Sequence, residues 1–69
     1  MKAQVRKKLQ SVGFRIIRKY AYGDSKTGRR IIAEILPNGK MHLLKRYETK
    51  TERDAAFKKM LLQEDVLAG

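Results

Sequence analysis

The spacing of apolar residues along this chain changes twice. Up to residue 12, Val5, Leu9 and Val12 recur at i, i+4 and i+7, the period of a helix with one inward stripe. They predict a helix over 2–12, with Lys2, Arg6, Lys7 and Lys8 around that stripe and Gly13 as the residue after its end. So short a helix persists only by docking on the remainder. From residue 14 onward β-branched and aromatic residues dominate, as they do in strands, and strands are predicted over 14–22, 30–36 and 41–48. Residues 24–28 predict the first hairpin connection, a type I turn with Gly28 supplying positive φ. Leu36, Pro37, Asn38, Gly39 and Lys40 form the second connection: Pro37 presets φ, Asn38 tolerates the next position, and Gly39 fits a left-handed bulge. Helical spacing then returns. Thr51 to Asp54 resembles a capping box with Asp in the Glu position, and a last helix over 52–63 turns Ala56, Phe57, Met60 and Leu61 to one side. The expected fold class is α+β: a single small domain over 1–69, order α-β-β-β-α, a three-stranded antiparallel sheet with the C-terminal helix on one face.

The second turn also predicts a register. With Leu36 opposite Lys40, Ile35 faces Met41, Glu34 faces His42, Ala33 faces Leu43 and Ile32 faces Leu44. Alternate positions share a face. Ile31, Ala33, Ile35, Met41, Leu43 and Tyr47 then form the expected core face, with Phe57 and Met60 of the last helix upon it and Phe14, Ile16, Tyr20 and Tyr22 joining from the first strand. The opposite face collects Arg15, Ile17, Lys19, Arg30, Ile32, Glu34, Leu36, Lys40, His42, Leu44 and Arg46. It is apolar in the middle and basic at its ends, too apolar for a solvated face. Two readings stay open: the N-terminal helix covers it, or a partner does.

Charge bears most directly on the kind of partner. Seventeen Lys and Arg against seven Asp and Glu give +10. Residues 1–30 hold ten of the cations and a single carboxylate, Asp24, whereas residues 31–69 are nearly balanced. A concentrated cation suits a polyanion, because each Lys or Arg set on a phosphate releases condensed counterions. No apolar run is long enough to span a bilayer, and the basic start lacks the apolar stretch of a signal peptide. With no Cys, the expectation is a cytoplasmic protein, compatible with nucleoid association, with no membrane partner and no small-molecule substrate.

Chemistry is sparse. His42 is the only His, and its placement opposite Glu34 reads as a cross-strand structural pair, because one contact without a nucleophile or metal is not a site. Isolated carboxylates and one His supply no metal set, and residues 24–28 lack the Gly-Lys-Ser/Thr ending of a phosphate loop. The chain reads as a non-enzyme without cofactor or metal.

A run of residues resembles a known family. Phe14-Arg15-Ile16-Ile17-Arg18, Tyr22-Gly23, Ile31-Ile32-Ala33-Glu34-Ile35, Gly39-Lys40, Leu43, Tyr47, Thr49 and Ala55-Ala56 are similar in order to the ethylene-response-factor (APETALA-type) DNA-binding domain. Similar domains serve as arm-site binding modules of phage-type integrases and occur in homing endonucleases. The resemblance covers residues 14–60 and implies a sheet laid in the DNA major groove, with Arg15, Arg18 and Glu34 in contact. The family's third-strand Arg and Trp fall on Lys40 and His42, its second-strand Arg on Leu36. Lys40 keeps the charge but lacks the guanidinium fork that reads guanine. The order α-β-β-β-α also resembles double-stranded-RNA-binding domains and HicA-type toxins, with Lys50 and Arg53 at the start of the last helix.

The expected function is non-catalytic nucleic-acid binding, DNA before RNA, through the sheet face and the basic N-terminal half. Arg15, Arg18, Arg30, Glu34, Lys40, His42 and Arg46 are the expected sheet contacts, with Lys7, Lys8 and Lys19 on phosphates. The alternatives are a double-stranded-RNA binder and a protein-interaction module of a phage or mobile element that docks through the apolar sheet face.

Overall fold

The computed structural model describes residues 1–20 and 30–69. The expected turn at 24–28 and the end of the first strand, with Tyr22, lie outside the described residues. The elements in chain order are α1 (Ala3–Ser11), β1 (Arg15–Tyr20), β2 (Arg30–Ile35), β3 (Met41–Tyr47), α2 (Lys50–Met60) and β4 (Val66–Ala68). The fold is α+β, with two helices and a mixed four-stranded sheet among the described residues, in the order β3-β2-β1-β4. Strands β1, β2 and β3 are antiparallel neighbours, as expected, and β4 adds a short parallel edge beside β1. The expected order omits this fourth strand. Three residues carry too little pattern to announce a strand, and their partner lies about fifty positions away in the sequence. Backbone bonds from Arg15 N–H to Asp65 C=O and from Gly69 N–H to Ile17 C=O, 2.7 and 2.9 Å, fasten this strand at either end.

Turn chemistry sets the register of the central hairpin. Gly39 N–H donates to Leu36 C=O and Leu36 N–H to Lys40 C=O, 2.9 and 2.8 Å, with Gly39 at φ 84°. This is the turn with a left-handed glycine bulge that the sequence predicts. Asn38 Oδ1 accepts from Lys40 N–H as well. Ile35 faces Met41, Glu34 faces His42 and Ala33 faces Leu43, all in the expected register. Beyond that point a bulge intervenes, and Ile32 faces Lys45 rather than Leu44. The extra residue exchanges the faces of everything after it. Arg46, expected beside Ile32, pairs with Ile31, and Tyr47 pairs with Arg30.

The helix α2 covers the opposite face from the one expected. Phe57 is buried with Ile17, Ile32, Tyr47 and Val66, and Leu44, Ala56, Met60 and Leu61 pack against them. The stripe Arg53, Ala56, Phe57, Met60, Leu61 has helical spacing, so the four residues expected to face inward do so, but onto Ile17 and Ile32. The cause is topological. Strands β3 and β4 both run parallel to β1, so α2 is a crossover connection, and the handedness of such connections selects the side. Ile17 and Ile32 are almost wholly buried, each a burial of roughly 1.5–3 kcal/mol. The helix and its cap both start two residues earlier than expected. Thr49, not Thr51, is the N-cap, and its hydroxyl accepts from Glu52 N–H at 3.1 Å. The spacing Thr49-x-x-Glu52 is itself a capping-box pattern.

On the other face Ile16, Ile31, Ala33 and Ile35 are buried. Of the residues expected there, Met41 and Leu43 remain exposed at 55% and 36%, because β3 is an edge strand. The helix α1 meets β1 and reaches β2 through Gln10, whose side-chain amide donates to Ile35 C=O at 2.6 Å. Its half-buried residues are Arg6, Leu9 and Gln10, while Val5 and Val12 are exposed. The inward stripe is therefore rotated by about one residue, roughly 100°, from the expected one. Val12 leaves the stripe because it is the C-cap, followed by Gly13 at φ 103°. Gly13 N–H to Gln10 C=O and Phe14 N–H to Leu9 C=O close the helix end as a Schellman motif.

Candidate functional site

The cations expected on the sheet divide into those paired with groups of the fold itself and those without a described acidic partner. Arg15 belongs to the first group. Its guanidinium donates to Glu34 Oε1 from Nη2 at 2.6 Å and from Nε at 3.2 Å. This carboxylate holds the Arg15 guanidinium above its ordinary pKa, by the hydrogen bond first and by charge second. Glu34 also stands opposite His42, but the carboxylate goes to Arg15 on the neighbouring strand. Among the described residues no three His, Cys, Asp or Glu side chains converge as metal ligands would.

Lys19 lies on the same face, exposed beside α2. Its ammonium is 3.3 Å from Asp54 Oδ1 and 5.3 Å from the centre of the Phe57 ring. Asp54 is shared, because Arg53 Nη2 donates to the same oxygen at 2.8 Å. Arg53, next to Asp54 in the chain, depresses the Asp54 carboxyl below its usual value, with Lys19 adding to the effect. Arg53 itself is 6% exposed and caps the end of β1 through Nη1 to Tyr20 C=O, 2.9 Å. Its position inside the apolar stripe of α2 was the available signal of burial. Arg18, on the opposite face, donates from Nε to Gly69 C=O at 2.9 Å and is half-buried. Arg30 is half-buried opposite Tyr47.

Of the expected contact residues, Arg15, Lys19, Lys7, Lys8, Lys40, His42 and Arg46 are exposed, and the last five form no ion pair among the described residues. Lys7 and Lys8 project from α1, which has no acidic residue in its first turn. Lys40 follows the glycine bulge, and His42 and Arg46 lie on β3, the sheet's outer strand. Lys45 joins them, exposed and 5.5 Å from the centre of the Tyr47 ring. The sequence carries no signal for Lys45, because only the bulge at Leu44 places it opposite Ile32. Among the described residues, ion pairs engage Arg15, Lys19 and Arg53 and no other cation. The structure thus separates Arg15, Lys19 and Glu34, each engaged in an ion pair of the fold, from the cations of α1 and β3. The sheet face assigned to DNA by the family resemblance carries α2.

Comparisons of the chain with protein-family models, with curated proteins and with solved structures return no match.

Proposed function

We propose that this chain is a non-catalytic nucleic-acid-binding module that holds duplex DNA by its phosphates, through the exposed lysines of α1 and the cationic outer strand β3. One observation carries this reading. The few described carboxylates that form ion pairs serve Arg15, Lys19 and Arg53, which leaves Lys7, Lys8, Lys40, Lys45 and Arg46 exposed without a described acidic partner. Unneutralised surface cations at a net +10 favour a polyanion, whose counterions they displace. With α2 over the face that bears Arg15 and Glu34, the contact runs along the backbone rather than through groove-reading side chains, and sequence preference is weak. Double-stranded RNA is the weaker reading, since Arg53 at the start of the last helix is turned inward and only Lys50 stays exposed beside it.

The test is a titration of labelled duplex DNA and duplex RNA at several salt concentrations. The expected result is an affinity that falls linearly in log–log form, by about 0.9 in slope for each phosphate neutralised on DNA. Absent or salt-insensitive binding overturns the proposal, and tighter binding of RNA than of DNA reassigns the ligand.

A further inference from the structure

We propose that the open edge of β3 docks an extended acidic segment of a partner protein, in which acidic and apolar residues alternate. The glycine turn sets which backbone groups that edge offers. Leu36 and Lys40 form a hydrogen-bonded pair, and along an antiparallel ladder such pairs alternate with pairs whose backbone groups point away from each other. Glu34–His42 is therefore bonded inward, while Ile35–Met41 and Ala33–Leu43 are not. The N–H and C=O groups of Met41 and Leu43 point outward from the sheet's last strand. The sheet ends there among the described strands, so these groups can accept an added strand.

The side chains state which strand fits. Met41 and Leu43 lie on the face away from α2 and are exposed, large apolar groups that an added strand would cover. Lys40, His42 and Lys45 lie on the other face and Arg46 follows beyond the bulge, all exposed. Cross-strand neighbours interact on the face they share. A segment laid along this edge therefore sets apolar residues beside Met41 and Leu43, and acidic residues at the alternate positions beside His42 and the lysines. The bulge at Leu44 ends the regular edge, so the contact is short.

Charge also weighs against a second copy of this chain, because residues 40–47 carry Lys40, His42, Lys45 and Arg46 and no carboxylate. An antiparallel pairing of β3 with itself centred on Leu43 sets Lys40 against Arg46, and a parallel one sets each cation beside its own counterpart. The charges that guard an edge against self-association here select an acidic occupant. Duplex phosphates share the attraction to the cations but have no use for alternating apolar contacts or a strand ladder.

The probe is a blocked peptide of alternating Glu and Val, about seven residues long, followed by amide hydrogen exchange and isothermal titration on the intact protein. Exchange is expected to slow at the amides of Met41 and Leu43 on peptide addition and to stay unchanged at His42, whose amide is already engaged. A peptide N-methylated at alternate backbone nitrogens, with identical charge and side chains, is expected to bind about tenfold more weakly or worse. So is a peptide of the same composition with its Val residues clustered. Equal binding of the N-methylated peptide, or protection centred on α1 instead of β3, overturns the proposal and reduces the peptide to a diffuse polyanion. Failure here leaves the salt-dependent DNA titration untouched, because that reading does not require the β3 backbone.

Discussion

The Lys19 ammonium stands over the Phe57 ring, 5.3 Å from its centre, and so ties β1 to the helix that covers it. Asp54 receives the same ammonium from one turn earlier on α2. A cation placed between a ring and a carboxylate works for the fold. Lys19→Met is therefore expected to lower unfolding free energy by about 0.5–1 kcal/mol, measured by urea denaturation, while leaving the salt dependence of duplex binding unchanged. A drop in salt slope equal to that of a surface lysine would return Lys19 to the phosphate contacts.

Lys7 and Lys8 make the complementary case. Neither has a described acidic partner, and both are exposed on α1. Replacing both with Ala is expected to reduce the slope of log affinity against log salt by about 0.9 for each phosphate no longer neutralised, with little change in the unfolding midpoint. Arg15→Ala, by contrast, removes a guanidinium already held by Glu34 and is expected to leave the slope within error. If Arg15→Ala weakens binding more than the double α1 variant, the contact lies on the sheet and α2 must move to allow it.

The parts of this fold legible in the sequence are those written in local chemistry. Pro37, Asn38 and Gly39 dictate a turn whose hydrogen bonds fix three cross-strand pairs, and Gly13 marks the end of α1. What stays illegible depends on partners far away. Helical spacing shows that Phe57 and Met60 point together, but not to which side of a sheet apolar on both faces. That choice follows from β4, three residues without a pattern of their own. The bulge at Leu44 is likewise silent, since Leu43-Leu44 fits either parity, and it moves Arg46 and Tyr47 to exchanged faces. For the candidate site, charge located the exposed lysines of α1, while Arg15 and Lys19 looked equally available until Glu34, Asp54 and Phe57 were placed beside them.

Asp54 gives the fold a dependence on pH. Its folded pKa lies below the ordinary carboxylate value, chiefly because Arg53 donates to it and Lys19 assists. A depressed folded pKa adds stability that is present above the unfolded value, about 3.9 for Asp, and is lost as pH falls from there through the folded value. Thermal melts across the acid range are expected to show the midpoint dropping in that window, and Asp54→Asn is expected to flatten the drop. Tyr47 acts at the other end. Burial raises its phenol pKa, so its effect on stability is absent below the unfolded value of about 10. Above that value the unfolded chain ionises first, and stability falls as pH rises towards the folded value.

Gly39 is the position on which the β3 register depends most directly. At φ 84° it occupies a backbone region that costs an ordinary L residue about 1–2 kcal/mol, although a Cβ there meets no atom within 4 Å. The penalty is conformational alone. Gly39→Ala is therefore expected to destabilise the protein by roughly that amount, and Gly39→Asn by less, because Asn tolerates the left-handed region. Urea unfolding measures both. A strained turn also loosens Leu36 N–H from Lys40 C=O, so exchange at the Leu36 amide is expected to rise in Gly39→Ala before that of Ile17 or Ile32. Equal destabilisation by Ala and Asn would point to packing around the turn instead of the sign of φ, against the empty space beside this glycine.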